Sequence, residues 1–300
     1  GGRPGSGARL PAMQRLRVDG RFFRLGDERV FLRLVTYGPF PGDEPKDLEG
    51  DMRRIADAGF HGLRVYDWPG AALLDAAADQ GLVVFAGHRW PQSTDLPGEA
   101  RLTFDQARVA LEQGIMPRSG HPAMAGVFVA NEIPADLVRW MGPSRVLAAI
   151  ETLIADGREM APAWLWAYAN YPSTEYLEAA NADFTAMNVY LEKEEDFRKY
   201  LRRLHHIAGD RPVMISEFGL DSRRNGLEKQ ARTLAWSVRA SRDAGVAGLA
   251  VYAWSDRWWN DGEEVTDWDF GLTDRDGLEK PALDAVRRAF VDDPDVTGPP

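Results

Sequence analysis

Two glutamates, Glu132 in VFVANEIP and Glu217 in PVMISEFG, each end a run of β-branched and apolar residues. A carboxylate at the end of a buried strand is costly unless it has a partner or a task. Two of them, far apart in sequence and alike in setting, suggest a pair facing one cleft. Paired carboxylates flanking a bond are the equipment of glycoside hydrolysis. Other chemistries find less support. The five histidines, His61, His88, His121, His205 and His206, show no HxH or HExxH spacing, the usual mark of a zinc site. His205 and His206 fall on a helical pattern, where neighbours point about 100° apart and do not easily share an ion. There is no cysteine, hence no disulfide framework and no thiolate-bound metal, and no GxSxG nucleophile elbow. No metal and no cofactor is expected, although the acids near residue 260 leave calcium as a lesser alternative.

The elements that must position these carboxylates alternate along the chain. Strand-like apolar runs lie at Val30–Thr36, Gly62–Tyr66, Leu82–Gly87, Ala125–Asn131, Trp164–Tyr168, Phe184–Val189, Val213–Glu217 and Gly248–Trp254. Helical periodicity marks Leu48–Ala58, Ala71–Gln80, Phe104–Gln113, Ser144–Met160, Phe197–His206, Leu227–Ala244 and Pro281–Phe290, with a weaker helix at Ser173–Ala180. Eight continuously apolar strands alternating with helices describe a parallel sheet covered by helices. The count and length fit an α/β (β/α)8 TIM barrel forming a single domain over residues 16–291. Turn signals within Leu16–Val30 add a short N-terminal β-hairpin. A doubly wound open sheet is the runner-up, but no Gly-rich phosphate loop follows the first strand. Residues 1–15 and 292–300 read as a linker or cloning scar and a linker-like tail, as expected of a piece of a longer protein.

The bulk properties narrow the partners. Hydrophobic residues are 44% and charged residues 27% of the 300, the balance of a globular domain. A net charge of −10 and a pI near 5.1 argue against nucleic acid or an anionic membrane surface. No apolar run approaches the ~20 residues of a membrane span, and the first residues lack a signal-peptide core. The compartment stays open, bacterial cytoplasm or periplasm, alone or within a membrane-associated protein.

Barrels of this kind collect function at the C-terminal ends of their strands. Those ends carry Tyr37, Arg64, Tyr66, His88, Asn131 with Glu132, Asn188, Tyr190, Glu217 and Trp254. The result is a polar ring with aromatic walls. Each residue also has a bland reading: Glu217 as a salt-bridged structural carboxylate, Arg64 as the partner of a loop acid, His88 as a hydrogen-bonded loop histidine. Trp254, Trp258, Trp259 and Trp268 either pack a long loop onto the barrel or form a wall for sugar rings. Part of that loop is read as a subsite wall, and its acids, Asp256 to Asp269, as solvated or bound to sugar hydroxyls.

The Asn-Glu pair ending the fourth strand and the Glu ending the seventh resemble the retaining glycosidase clan with (β/α)8 barrels, in a family 2 or family 5-like catalytic domain. GLRVYDWP, FVANEIP, MNVY, ISEFG and VYAWSD each resemble counterparts there. RVDGRFFRLGDERVFLRLVTYG and DFGLTDRDGLEKPALDAVRRAF resemble the two ends of the family 2 barrel. NEIP and EFGLDS are also similar to glycosidase-like domains fused to glycosyltransferases of bacterial polysaccharide synthesis, so such a fused domain is an expected partner. The β-sandwich domains that precede family 2 barrels are not found in this sequence.

The resemblance and the physical demands together assign roles. Glu132 would be the acid/base and Glu217 the nucleophile, with Arg64 and Tyr190 as its neighbours. Asn131 would bind the sugar 2-hydroxyl, and Trp254 would floor the reacting ring. His88, Asn188, Tyr37 and Trp258 would complete the substrate contacts. The expected activity is a retaining β-glycosidase, hydrolase or transglycosidase, acting on β-glucan or β-gluco-oligosaccharide with carboxyl groups ~5–5.5 Å apart. The alternative is a non-catalytic carbohydrate-binding barrel that guides polysaccharide for a fused synthase.

Overall fold

The computed structural model describes residues 13–40, 45, 47–89 and 97–292. Nearly all of the expected N-terminal linker and C-terminal tail lies outside the described residues. A small antiparallel sheet comes first, β1 (Leu16–Asp19), β2 (Phe22–Leu25) and β3 (Glu28–Val30). The chain then enters a closed barrel of β4 (Leu32–Thr36), β5 (Gly62–Arg64), β6 (Val83–Gly87), β7 (Met124–Asn131), β8 (Leu165–Asn170), β9 (Thr185–Asn188), β10 (Val213–Phe218) and β11 (Gly248–Val251). Each barrel strand pairs in parallel with its sequence neighbour, and β11 closes on β4 with Gly248 beside Leu32. The predicted TIM barrel is the fold observed.

Around it lie α1 (Leu48–Asp57), α2 (Ala71–Asp79), α3 (Pro97–Ile115), α4 (Ala135–Met141), α5 (Pro143–Met160), α6 (Glu194–Ala208), α7 (Ser222–Asn225), α8 (Leu227–Asp243) and α9 (Pro281–Val291). In α6, Phe197, Leu201, Leu204 and Ala208 are buried at helical spacing while Glu194, Glu195 and Asp196 occupy the first turn, where the helix dipole favours acids. Asp47 caps α1 by accepting from the amide of Gly50 at 3.1 Å, satisfying one of the unpaired first-turn donors.

Two apolar layers explain why the strands read as unbroken hydrophobic runs. The outer layer, between strands and helices, includes Val35, Leu63, Val84, Val127, Trp166 and Ile215. The inner layer fills the barrel with Leu32, Leu34, Phe85, Phe128, Phe184 and Met214. Phe85, Phe128 and Phe184 meet one another with ring centroids 5.7–6.1 Å apart. Gly126 makes room for this cluster, since a Cβ there would lie 2.6 Å from the Phe85 ring. From below, Leu16, Phe23 and Leu25 join the inner layer, and the Phe23 ring meets Phe184 at 5.4 Å. The N-terminal sheet is therefore a plug for the barrel floor.

The expected N-terminal hairpin is present and is extended to a three-stranded meander by the Gly26-Asp27 turn. Other details depart from expectation. The helix expected over Ser173–Ala180 is only a 3-10 turn at Pro172–Thr174. There the Asn170 amide takes the carbonyls of Thr174 and Leu177, which a helix would have used internally. The short helix α4 after β7 was not anticipated.

Candidate active site

Phe128 carries the site's base. The Arg64 guanidinium lies 4.5 Å above that ring and 4.7 Å from the ring of Tyr66. Arg64 is 1% exposed, and so buried a cation requires partners. Its Nη1 donates to Asn188 Oδ1 (3.2 Å), the Ser216 carbonyl (2.7 Å) and Glu217 Oε2 (3.1 Å). Its Nη2 donates to Asn131 Oδ1 at 2.7 Å. One guanidinium thus ties together the ends of β5, β7, β9 and β10.

Glu217 reaches this cluster through an irregularity of β10. Met214 belongs to the inner layer and Ile215 to the outer, so regular alternation would turn Ser216 inward and Glu217 out. The register with β9 shifts between Ile215 and Glu217. A bulge of this kind re-aims a side chain, and both residues reach the cluster: the Ser216 hydroxyl donates to Asn188 Oδ1 at 2.6 Å. Glu217 accepts from Arg64, from the Tyr66 hydroxyl (2.8 Å) and from Asn188 Nδ2 (3.1 Å) on Oε2, and from the Tyr190 hydroxyl (2.7 Å) on Oε1. Four donors and no acceptor face it, the surroundings of an acceptor-only carboxylate.

Glu132 follows a similar irregularity, a register shift between Phe128 and Asn131 on β7. Its φ of 46° lies in the left-handed region that costs an L-residue about 1–2 kcal/mol, and such strain is typical of functional positions. The backbone is held there by β8: the Glu132 amide donates to Ala169, the Ile133 amide to the Tyr168 hydroxyl, and the Ala135 amide to the Tyr171 hydroxyl. Burial first, then the charge of Glu217, pushes the Glu132 carboxyl up to about 7, against opposing effects from Arg64 and a hydrogen bond with Asn188. Asn188 Nδ2 donates to both Glu217 Oε2 and Asn131 Oδ1, so it links the strand ends that carry the two carboxyl groups. The Asn131 carbonyl oxygen is used by Arg64 and Asn188, leaving its Nδ2 without a protein partner among the described residues.

The remaining expected residues divide. Tyr190 joins the site two residues beyond Asn188, where β9 ends; the residue is 41% exposed while its hydroxyl sits on Glu217. Trp258 meets Tyr252 with ring centroids 6.0 Å apart. Three others are turned away or already engaged. The Tyr37 hydroxyl donates to Asp51 of α1 at 2.5 Å. Trp254, 1% exposed, also donates to Asp51 and lies under the Arg54 guanidinium. Its ring thus packs toward α1. His88 accepts from Trp68 at Nδ1 (3.0 Å) and bonds the Ala107 carbonyl through Nε2 (2.9 Å). With both ring nitrogens on protein, and burial lowering its pKa, it is a neutral tether of α3.

Besides Tyr66 and Tyr190, Tyr252 lies beside the carboxylates, a residue absent from the ring expected from the strand ends. Its ring contacts those of Tyr66, Tyr190, Trp258 and Phe270 at 5.5–6.4 Å. Burial, then the charges of Glu217 and Glu132, raises its phenol pKa. The signal was present as the Tyr of VYAWSD, but β11 ends at Val251, one residue before it. The other loop tryptophans are partly engaged by protein. Trp268 has Phe270 stacked at 5.6 Å and Arg224 3.7 Å from its ring; Arg257 lies over Trp259. Three of the loop acids serve as ion-pair partners: Asp256 with Lys280, Glu264 with Arg257, Asp269 with Arg275. No group of three or more metal-ligating side chains occurs among the described residues.

Fold and site together define a (β/α)8 barrel whose polar groups converge at the C-terminal strand ends. No protein-family model matches the sequence, and no curated protein matches it. Solved structures do share the fold. A β-glucuronidase of Bacteroides uniformis superposes with a TM-score of 0.78 at 19% identity, over 92% of this chain and 37% of that one. A GH2 β-galacturonidase of Eisenbergiella tayi, bound to galacturonate, gives 0.74 at 17%, over 93% and 54%. A β-glucuronidase of Faecalibacterium prausnitzii gives 0.76 at 15%, over 93% and 52%. The chain spans about half or less of the length of these proteins.

Proposed function

We propose that this barrel is a retaining β-glycosidase, with Glu217 as nucleophile and Glu132 as acid/base. The observation that carries this reading is the unequal treatment of two neighbouring carboxyl groups. Glu217 is surrounded by donors suited to an ionised nucleophile, while Glu132 is held near 7, where it can give a proton and take one back. The charge of Glu217 is among the causes that raise Glu132, so the two carboxyl groups face one cleft, as double displacement requires. A barrel that only bound polysaccharide would gain nothing from a carboxyl so poised. The superposition on glycosidase barrels supports the same reading.

In the first step Glu132 protonates the departing glycosidic oxygen while Glu217 attacks the anomeric carbon. In the second, Glu132 deprotonates a water or sugar hydroxyl that releases the glycosyl group. Asn131 offers its unused Nδ2 to the 2-hydroxyl, and Tyr252, in place of Trp254, supplies the apolar surface beside the reacting ring. Trp268 and Trp259 have Phe270 and arginines as neighbours, while Trp268 stays partly exposed, so water and a sugar hydroxyl both remain acceptors. Hydrolysis is the first expectation.

For the substrate we take neutral β-gluco-oligosaccharides. β-Glucuronides are the second reading, favoured by the names of the superposed proteins. A uronate calls for a cation turned toward the sugar, and the described arginines around the mouth are paired with acids: Arg89 with Asp67, Arg224 with Asp221, Arg257 with Glu264. A fused glycosyltransferase rests on the sequence resemblance alone. Product analysis by NMR on β-1,2-, β-1,3-, β-1,4- and β-1,6-linked gluco-oligosaccharides and an aryl β-glucuronide, with Glu217→Gln as control, tests the reading. A β-anomer appearing first, absent in the control, is expected; α-anomer first, or equal turnover by the control, refutes it.

A further inference from the structure

The two oxygens of Glu217 are held unequally. Oε2 accepts from Arg64 Nη1, the Tyr66 hydroxyl and Asn188 Nδ2 at 3.1, 2.8 and 3.1 Å, whereas Oε1 accepts only from Tyr190, at 2.7 Å, among the described residues. A carboxylate oxygen offers about two lone-pair sites, so Oε2 is saturated and Oε1 retains a free one. We propose that Tyr66 is a positioning residue which, by helping to saturate Oε2, assigns Oε1 as the attacking atom and hastens breakdown of the covalent intermediate. The inference rests on the reading of Glu217 as nucleophile.

The chemistry follows from where charge goes. As the Oε1 lone pair bonds to the anomeric carbon, the glycosidic C–O bond breaks and its electrons leave with the oxygen that Glu132 protonates. The carboxylate charge is consumed, and Oε2 becomes an ester carbonyl, a poorer acceptor for its three donors. In the second step water, losing its proton to Glu132, bonds to the anomeric carbon. The C–Oε1 bond breaks and its electron pair returns to the carboxylate. Donors on Oε2 regain strength during this step, because hydrogen bonds to a charged acceptor are the stronger ones. They favour the free carboxylate over the ester, and so speed release more than formation.

Tyr66 is the separable member of the three. Arg64 and Asn188 also hold Asn131 and Ser216, so their removal collapses the cluster. The Tyr66 hydroxyl serves Glu217, while its ring is kept in place by Tyr252 at 6.2 Å and by Arg64. Tyr66→Phe therefore removes one hydrogen bond and little else.

The test compares wild type and Tyr66→Phe in labelling by 2,4-dinitrophenyl 2-deoxy-2-fluoro-β-D-glucoside, or its glucuronide counterpart, followed by mass spectrometry. Release of the label after dilution is then timed, and kcat and KM are measured with an aryl glycoside. Loss of a hydrogen bond to a charged group should slow release about 10-fold or more, with kcat and KM falling together and kcat/KM nearly unchanged. Release at the wild-type rate overturns the inference. So does a fall in kcat/KM at constant KM, the signature of a merely structural role, or a variant that no longer labels. If wild type itself takes no label on Glu217 from either sugar, the nucleophile reading fails and this inference falls with it. A labelled wild type with unchanged release in the variant sinks the inference alone.

Discussion

Replacing Glu217 by Gln should lower the titration midpoint of Glu132 while leaving it above the ordinary carboxylate range. Glu132 is held at about 7 first by burial and second by the charge of Glu217, and the substitution removes only the second cause. At the ~5–5.5 Å separation of a retaining pair, two carboxylates at an effective dielectric near 20 repel by roughly 3 kcal/mol. Arg64, 3.1 Å from Glu217, already offsets part of this, so a fall of about one to two pH units is expected. Gln fits the pocket: its carbonyl oxygen can take the three donors now on Oε2, and its NH2 can face the Tyr190 hydroxyl, which rotates to accept. The direct assay is ¹³C NMR of carboxyl-labelled glutamate, read in wild type and variant, with Glu132→Gln to assign the resonance. Stability provides an independent readout. A carboxyl raised from 4.5 to about 7 binds its proton more tightly folded than unfolded, so stability is fully present below pH 4.5 and is lost as pH rises to about 7. In Glu217→Gln this loss should be smaller and complete at lower pH. A Glu132 midpoint that stays put, or rises, would refute the coupling, and with it the claim that the two carboxyl groups share one site.

The other expectations test how the site is supported. Arg64→Met should destabilise the fold by about 3–5 kcal/mol in urea titrations, because Glu217 is left as an uncompensated buried charge; a loss below 1 kcal/mol would show the cluster rearranges freely. Trp268→Ala should lower the melting temperature without weakening sugar binding by calorimetry, since Phe270 and Arg224 occupy its faces; a tenfold loss of affinity would restore it as a sugar platform. Lys280→Ala strands Asp256, buried with it at 2.9 Å. The cost should be about 3–5 kcal/mol, largely recovered by also making Asp256→Asn. An unchanged midpoint of unfolding would show that water reaches the pair.

The strand count, their order and the two glutamates were legible in the sequence for one physical reason. A parallel strand buried on both faces must be apolar along its whole length, so a carboxylate at its end stands out against that background. Arg64, Asn131, Asn188 and Tyr190 were legible for the same reason, as polar or half-polar groups where an apolar run stops. What the pattern does not carry is direction. Whether a residue just past a strand faces the cleft or the helices depends on where the ladder ends and where it bulges, and neither leaves a mark in composition. Tyr252 and Trp254 show this: two aromatics two residues apart, of which the chain's path beyond Val251 turns one to the carboxylates and the other to Asp51. His88 and Tyr37 are engaged by Ala107 and Asp51, and Trp268 by Arg224, partners from other segments that leave no local mark in the sequence.

By itself, then, the sequence determined the barrel and the pair of carboxyl groups, because hydrophobic periodicity and the cost of burying charge are local properties of the chain. Tertiary structure alone decided that Ser216 and Glu217 both turn inward, that Arg64 joins four strand ends, and that burial and Glu217 push the Glu132 carboxyl up. Those outcomes depend on distances between residues brought together only when the barrel closes.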